Sequence, residues 1–121
     1  VDGFRCDMAE MVPAAFWQWN TDKVKVRYPD KIFIGEVYNP AEYRNYLAAG
    51  FDYLYDKVGM YDTLREVMQG HRSTHAITGA WQATDDIRDQ MLYFLENHDE
   101  QRIASSFFVG DAQKGVPGLV V

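Results

Sequence analysis

Three acidic side chains stand where a carboxylate can do chemistry. Asp7 closes the stretch VDGFRCD, Glu36 follows the apolar run IFIG, and Asp99 lies in FLENHD, just beyond the end of the run MLYFL. Asp56 holds the same place after FDYLY. Like charges gathered on one face repel unless a function or a cation uses them, so their recurrence says more than any one of them alone. One chemistry that needs paired carboxylates is retaining cleavage of a glycosidic bond. An ionised carboxylate attacks the anomeric carbon while a protonated one ~5 Å away gives its proton to the leaving oxygen. Partial burial and a neighbouring negative charge keep a glutamate protonated for that task. The nucleophile must stay ionised, and Arg5, two residues before Asp7 on the same strand face, is placed to hold it so.

Each residue also has a plainer reading. Asp7 with Glu10, and Asn97 with Glu100, match capping boxes that simply begin helices. Glu36 has less cover, because Asn39 is the better cap nearby. His98 reads equally as a loop histidine. His71 and His75 stand four apart, but with no acidic partner at a useful position they do not make a zinc site.

The elements that must position these groups follow from periodicity. Residues 1–6 alternate as a short strand, with Arg5 and Asp7 on one side and Phe4 and Cys6 on the other. A helix is expected over 13–28: proline suits the first turn, Trp17, Val24 and Tyr28 fall on one face, and Pro29 stops it. Residues 32–35 read as a strand buried on both faces. Asn39 and Pro40 then begin a second helix that Gly50 ends. A third strand is expected over 51–55, and a helix over 60–69 that carries Leu64, Val67 and Met68 inward and closes at Gly70. Residues 71–86 read as a long loop with a short helix. A fourth strand over 91–95, a helix over 100–108 and a turn-rich stretch over 110–115 complete the pattern. Four strands alternating with helices imply a parallel α/β sheet, either open and doubly wound or part of a (β/α)8 barrel. Both architectures place functional groups beyond the carboxyl ends of the strands.

Composition narrows the function class. The 121 residues are 47% hydrophobic and 25% charged, as in an ordinary globular domain. Twelve basic against eighteen acidic residues give a net charge of −6, which argues against nucleic acid as a partner. No stretch reaches the roughly 18 apolar residues of a membrane span. The single cysteine, Cys6, excludes an internal disulfide framework. Eight tyrosines, seven phenylalanines and three tryptophans exceed the needs of a small core and can offer flat faces to a ligand, although packing is the expected role for at least two of Trp17, Trp19 and Trp81. The opening VDGFRCD and the closing GVPGLVV read as cuts through a longer domain.

VDGFRCDMA, FIGEVY and FLENHD, in this order, resemble the fourth-, fifth- and seventh-strand motifs of the α-amylase family, glycoside hydrolase family 13. The resemblance runs over nearly the whole chain. It implies that residues 1–121 are a fragment of one catalytic (β/α)8 (TIM) barrel, a half-barrel of about four βα units with two open sheet edges through which copies can associate. It further implies Asp7 as the nucleophile, Glu36 as the general acid and then base, and Asp99 as the stabiliser of the strained sugar. By the same matching Arg5 orients the nucleophile and His98 donates to the sugar. Val37 and Tyr38, directly after Glu36, line the leaving-group side. The implied substrate is an α-glucan or malto-oligosaccharide, with no cofactor in this fragment and calcium possible in the full-length parent. Glu10 and Met11 stand where many members have lysine and histidine, which disfavours calcium there. The alternative is a non-catalytic carbohydrate-binding or interaction fragment of the same barrel.

Overall fold

The computed structural model describes residues 1–109; the turn expected at 110–115 lies outside them. The described residues form two compact units, one of Val1–Asp56 with Asp86–Leu92, the other of Lys57–Asp85 with the described residues from Tyr93 onward.

The first unit holds β1 (Gly3–Cys6), α1 (Ala14–Arg27), β2 (Ile32–Gly35), α2 (Tyr43–Ala48), β3 (Tyr53–Tyr55) and β4 (Met91–Leu92). The strands form one parallel sheet in the order β1-β2-β3-β4. Helices between parallel neighbours are what the alternating pattern requires. Arg5 pairs with Ile34 and Cys6 with Gly35, and the ladder runs one step past the strand ends: the Glu36 N–H donates to the Cys6 carbonyl at 3.0 Å and the Ala9 N–H to the Glu36 carbonyl at 2.9 Å.

The core of this unit is Phe33, Val37, Tyr43, Tyr46, Phe51, Leu54 and Met91, with Trp17 and Val24 of α1 packed against it. Lys25 and Arg27 occupy the last turn of α1, where a cation meets the negative end of the helix dipole. Tyr28, expected on the same face as Trp17 and Val24, has left helical geometry and is half exposed, because the chain turns there toward Pro29. β2 has the expected bounds, but only its later residues are covered: Ile32 is 41% exposed and Phe33 3%.

A Cβ on Gly35 would stand 2.8 Å from Leu54 Cδ2 and 2.9 Å from Phe51 Cδ1, so glycine lets β2 and the Phe51 ring close together. Asn39 Oδ1 accepts the Ala41 N–H at 3.1 Å and caps a 3-10 turn, Pro40–Glu42, which leads into α2; Gly50, at φ 99°, follows its end. β3 begins at Tyr53 and not at residue 51. Phe51 is taken into the core, and the Asp52 carboxylate accepts the Phe33 N–H at 2.8 Å and pairs with Lys25 at 2.7 Å.

The second unit starts with a π-helical turn, Lys57–Tyr61, that runs into α3 (Asp62–Met68), followed by α4 (His75–Gln82) and α5 (Ser106–Val109). Its core is Tyr61 and Phe108, with Leu64, Met68, Phe94 and Ile103 against them. α4 is the short helix expected within 71–86. Two expectations are corrected. The fourth strand stops at Leu92, and Phe94 instead stacks on Tyr61 at 5.0 Å. The helix expected over 100–108 shrinks to α5, because Glu100 is drawn to Lys57 Nζ at 3.0 Å and to the Tyr61 hydroxyl at 3.0 Å. Among the described residues no helix is long and apolar enough to cross a membrane.

Candidate active site

The site in the first unit grows from the pairing of β1 with β2. Side chains alternate along a strand, so with Arg5 beside Ile34, the residues two further on, Asp7 and Glu36, emerge on the same face at adjacent strand ends. Arg5 joins them. One terminal guanidinium nitrogen pairs with Asp7 Oδ1 and the other lies 3.0 Å from Glu36 Oε1. Burial works against the Arg5 charge, yet hydrogen bonds to Asp7 and Tyr55 and the attraction of Glu36 leave its pKa above the ordinary arginine value. The guanidinium also sits over the Tyr55 ring at 5.6 Å.

The two carboxylates differ in access to water: the Asp7 side chain is 69% exposed and that of Glu36 3%. Glu36 is held at both oxygens. Oε2 accepts the Met8 N–H at 3.0 Å, and Oε1 accepts the Tyr38 hydroxyl at 3.2 Å beside Arg5.

The segment after Asp7 is not the capping-box helix start that its spacing suggests. Asp7 turns to Arg5, Glu10 Oε2 accepts the Asn39 N–H at 3.1 Å, and the short 3-10 turn Ala9–Met11 has no side-chain cap. That turn is fastened from outside. Trp17 Nε1 donates to the Ala9 carbonyl at 2.8 Å, and the Tyr46 hydroxyl bonds the Glu10 and Val12 carbonyls at 3.1 and 3.0 Å. Trp17 is therefore a packing residue, edge-on to Phe51 at 5.0 Å, while Trp19, which meets the Phe16 ring at 5.9 Å, and Trp81 are partly exposed.

Val37, expected to line the leaving-group side, is fully buried in the core and offers no surface. Tyr38 is half-buried with its hydroxyl on Glu36. Asp56 is fully buried and accepts the Tyr43 hydroxyl at 3.1 Å, a structural place for the fourth strand-end acid.

In the second unit, Asn97 Oδ1 accepts the N–H groups of Asp99 and Glu100, both at 2.9 Å. This is the cap its sequence foretells, on a turn and not on a helix. His98 and Asp99 are exposed, and His98 Nε2 lies 3.0 Å from Asp99 Oδ2. Asp7, Glu36, Arg5 and Tyr38 are thus assembled within one unit, and His98 with Asp99 within the other.

Sequence reasoning missed that Arg5 serves Glu36 as well as Asp7, and that Met8 and Tyr38 hold Glu36. The first was within reach once β1 and β2 are set in parallel register. The second depends on a backbone conformation that side-chain types do not encode. Among the described residues no group of three or more histidine, cysteine, aspartate or glutamate side chains is arranged to hold a metal ion.

No protein-family model matches the chain. The chain is 36% identical over 108 residues to α-amylase MalA of Haloarcula japonica, an alignment that covers 84% of this chain and 15% of that protein. Among solved structures it is similar to an α-amylase from Lactobacillus plantarum, with TM-score 0.73 and 28% identity over 85% of this chain and 28% of that one. It is also similar to the noncanonic maltogenic α-amylase AmyB from Thermotoga neapolitana, with TM-score 0.66 and 34% identity over 86% of this chain and 24% of that one. The segment therefore spans a quarter or so of these structural relatives and less of the curated one.

Proposed function

Given that the chain belongs to the α-amylase family, as a segment of its (β/α)8 barrel, we propose that it carries the catalytic carboxylates of a glycoside hydrolase that cleaves or transfers α-glucosidic bonds of starch-like glucans with retention of configuration. An Asp7 oxygen attacks the anomeric carbon as Glu36 passes its proton to the leaving oxygen, which departs with the bonding electron pair. Glu36, now a carboxylate, takes a proton from water or from an acceptor sugar hydroxyl. That oxygen attacks the same carbon and releases Asp7. Arg5 orients Asp7, Tyr38 steadies Glu36 on the leaving-group side, and Asp99 and His98 grip hydroxyls of the sugar as it flattens.

The observation that carries the reading is the single guanidinium of Arg5 joining one exposed and one buried carboxylate at adjacent strand ends. A retaining pair needs two carboxyl groups only ~5 Å apart, and adjacent parallel strands supply that spacing. In the full-length protein that carries this segment, Asp7→Asn and Glu36→Gln should each lower turnover on maltodextrin by about 100-fold or more. Near-normal turnover in both variants would overturn the assignment. Residues 1–121 alone should show little reducing-sugar release from starch, since four strands leave β1 and β4 as outer strands of an open sheet; a monomer with robust turnover would contradict this.

A further inference from the structure

Met8 is the one non-glycine residue with positive φ among the described residues, at φ 44° and ψ 44°. A side chain with a Cβ is disfavoured in this left-handed region, so the surroundings must impose the conformation. Side-chain packing does not explain it, because the Met8 side chain is 41% exposed. The backbone does. In this conformation the Met8 N–H donates to Glu36 Oε2 at 3.0 Å, and the next N–H, of Ala9, donates to the Glu36 carbonyl at 2.9 Å. Two successive peptide groups after Asp7 are thus aimed at one residue. Ala9 is fully buried, and its carbonyl is pinned by Trp17 Nε1 at 2.8 Å, so the peptide pair is anchored from the far side.

We propose that Met8 is a positioning residue for Glu36: the turn made by its left-handed backbone keeps the Met8 N–H on Oε2 and so fixes the rotation of the carboxyl group that delivers the proton. A peptide N–H has no lone pair and can only donate, so its partner oxygen accepts in both protonation states of the carboxyl group. This inference rests on the catalytic reading of Glu36 given above and adds how the acid is aimed.

The test uses the full-length protein and compares kcat/KM, which reports the first step, for a malto-oligosaccharide and for α-glucosyl fluoride. The sugar oxygen needs a proton to leave, whereas fluoride departs with the bonding pair unaided. Met8→Val places a β-branched residue where it is least tolerated. It should lose about 10- to 100-fold on the oligosaccharide, the scale of a misplaced catalytic group, and less than about threefold on the fluoride, whose departure bypasses general-acid catalysis. Met8→Gly and Met8→Asn, both compatible with the left-handed region, should stay within about twofold of the parent on either substrate. An equal loss on both substrates, or no loss on either, overturns the proposal.

Hydrogen exchange of the Met8 amide supplies a readout that needs no folded Met8→Val protein. Exchange should be slow in the parent and at least about tenfold faster in Glu36→Ala, where the acceptor is gone. Equal exchange rates would also overturn the proposal. If instead Asp7→Asn and Glu36→Gln retain turnover, it is the catalytic reading that fails, and the amide exchange still reports whether Met8 holds Glu36.

Discussion

Replacing Arg5 with alanine removes the cation that touches both Asp7 and Glu36. Its main effect falls on Glu36, whose side chain is 3% exposed and would keep only the Met8 N–H and the Tyr38 hydroxyl as partners. At 3.0 Å and an effective dielectric constant of ~20, the gross attraction is about 5 kcal/mol. Arg5 is itself 26% exposed, so water replaces part of what is lost, and the net cost should be about 2–3 kcal/mol. A neutral side chain at position 36 needs no counter-charge. In a Glu36→Gln background the same Arg5→Ala change should therefore cost less than about 1 kcal/mol, leaving a coupling of about 2 kcal/mol. Native-state hydrogen exchange of β1 and β2 in the full-length protein measures all four corners of the cycle and avoids mixing in the unfolding of distant parts. A coupling below about 0.5 kcal/mol would refute the view that Arg5 compensates a buried carboxylate.

Further outcomes are expected elsewhere in the molecule. Gly35→Ala should destabilise the first unit by about 1–3 kcal/mol, since the new methyl group meets Leu54 and Phe51 inside 3.0 Å; denaturation melts of the variant check this. The Tyr61 phenol is pushed well above its ordinary pKa, first by burial and then by its bond to Glu100. A folded pKa above the unfolded ~10 gives stability that is complete below pH ~10 and is lost as pH rises toward the folded value. Stability measured from pH 8 to 11 should therefore fall more steeply in the parent than in Tyr61→Phe, and equal slopes would contradict the assignment. Burial also raises the Cys6 thiol pKa, a shift that the Arg5 charge only partly opposes, so alkylation by iodoacetamide at pH 7.5 should be slower than that of glutathione.

Much of the framework was legible because burial writes itself as period. The run IFIG became β2 with its expected bounds, and Gly50 and Pro13 stand at the helix ends where their backbone preferences put them. The failures share a cause: a side chain found a better partner than the local pattern offered. Asp52 captured Phe33 and Lys25 and shortened β3; Phe94 stacked on Tyr61 after β4 had stopped; Glu100 went to Lys57 and Tyr61 and left its helix unformed. At the candidate site the acidic residues themselves were legible, because Asp7 and Glu36 follow strand-like runs. What fixes Glu36 was not, since a peptide N–H turned by a left-handed methionine leaves no mark in side-chain chemistry. Val37 shows the converse: adjacency to Glu36 suggested a substrate contact, but strand-like alternation sends its side chain into the core.

The most direct test of the account is to trap the glycosyl-enzyme. The full-length protein is incubated with a 5-fluoro-α-glycosyl fluoride, which forms the covalent intermediate faster than it is released, and is then digested and mapped by mass spectrometry. The account predicts one labelled peptide, with the sugar esterified to Asp7, and no label in Asp7→Asn. A label on Glu36 or on any other residue, or an active protein that accumulates no adduct, would contradict it.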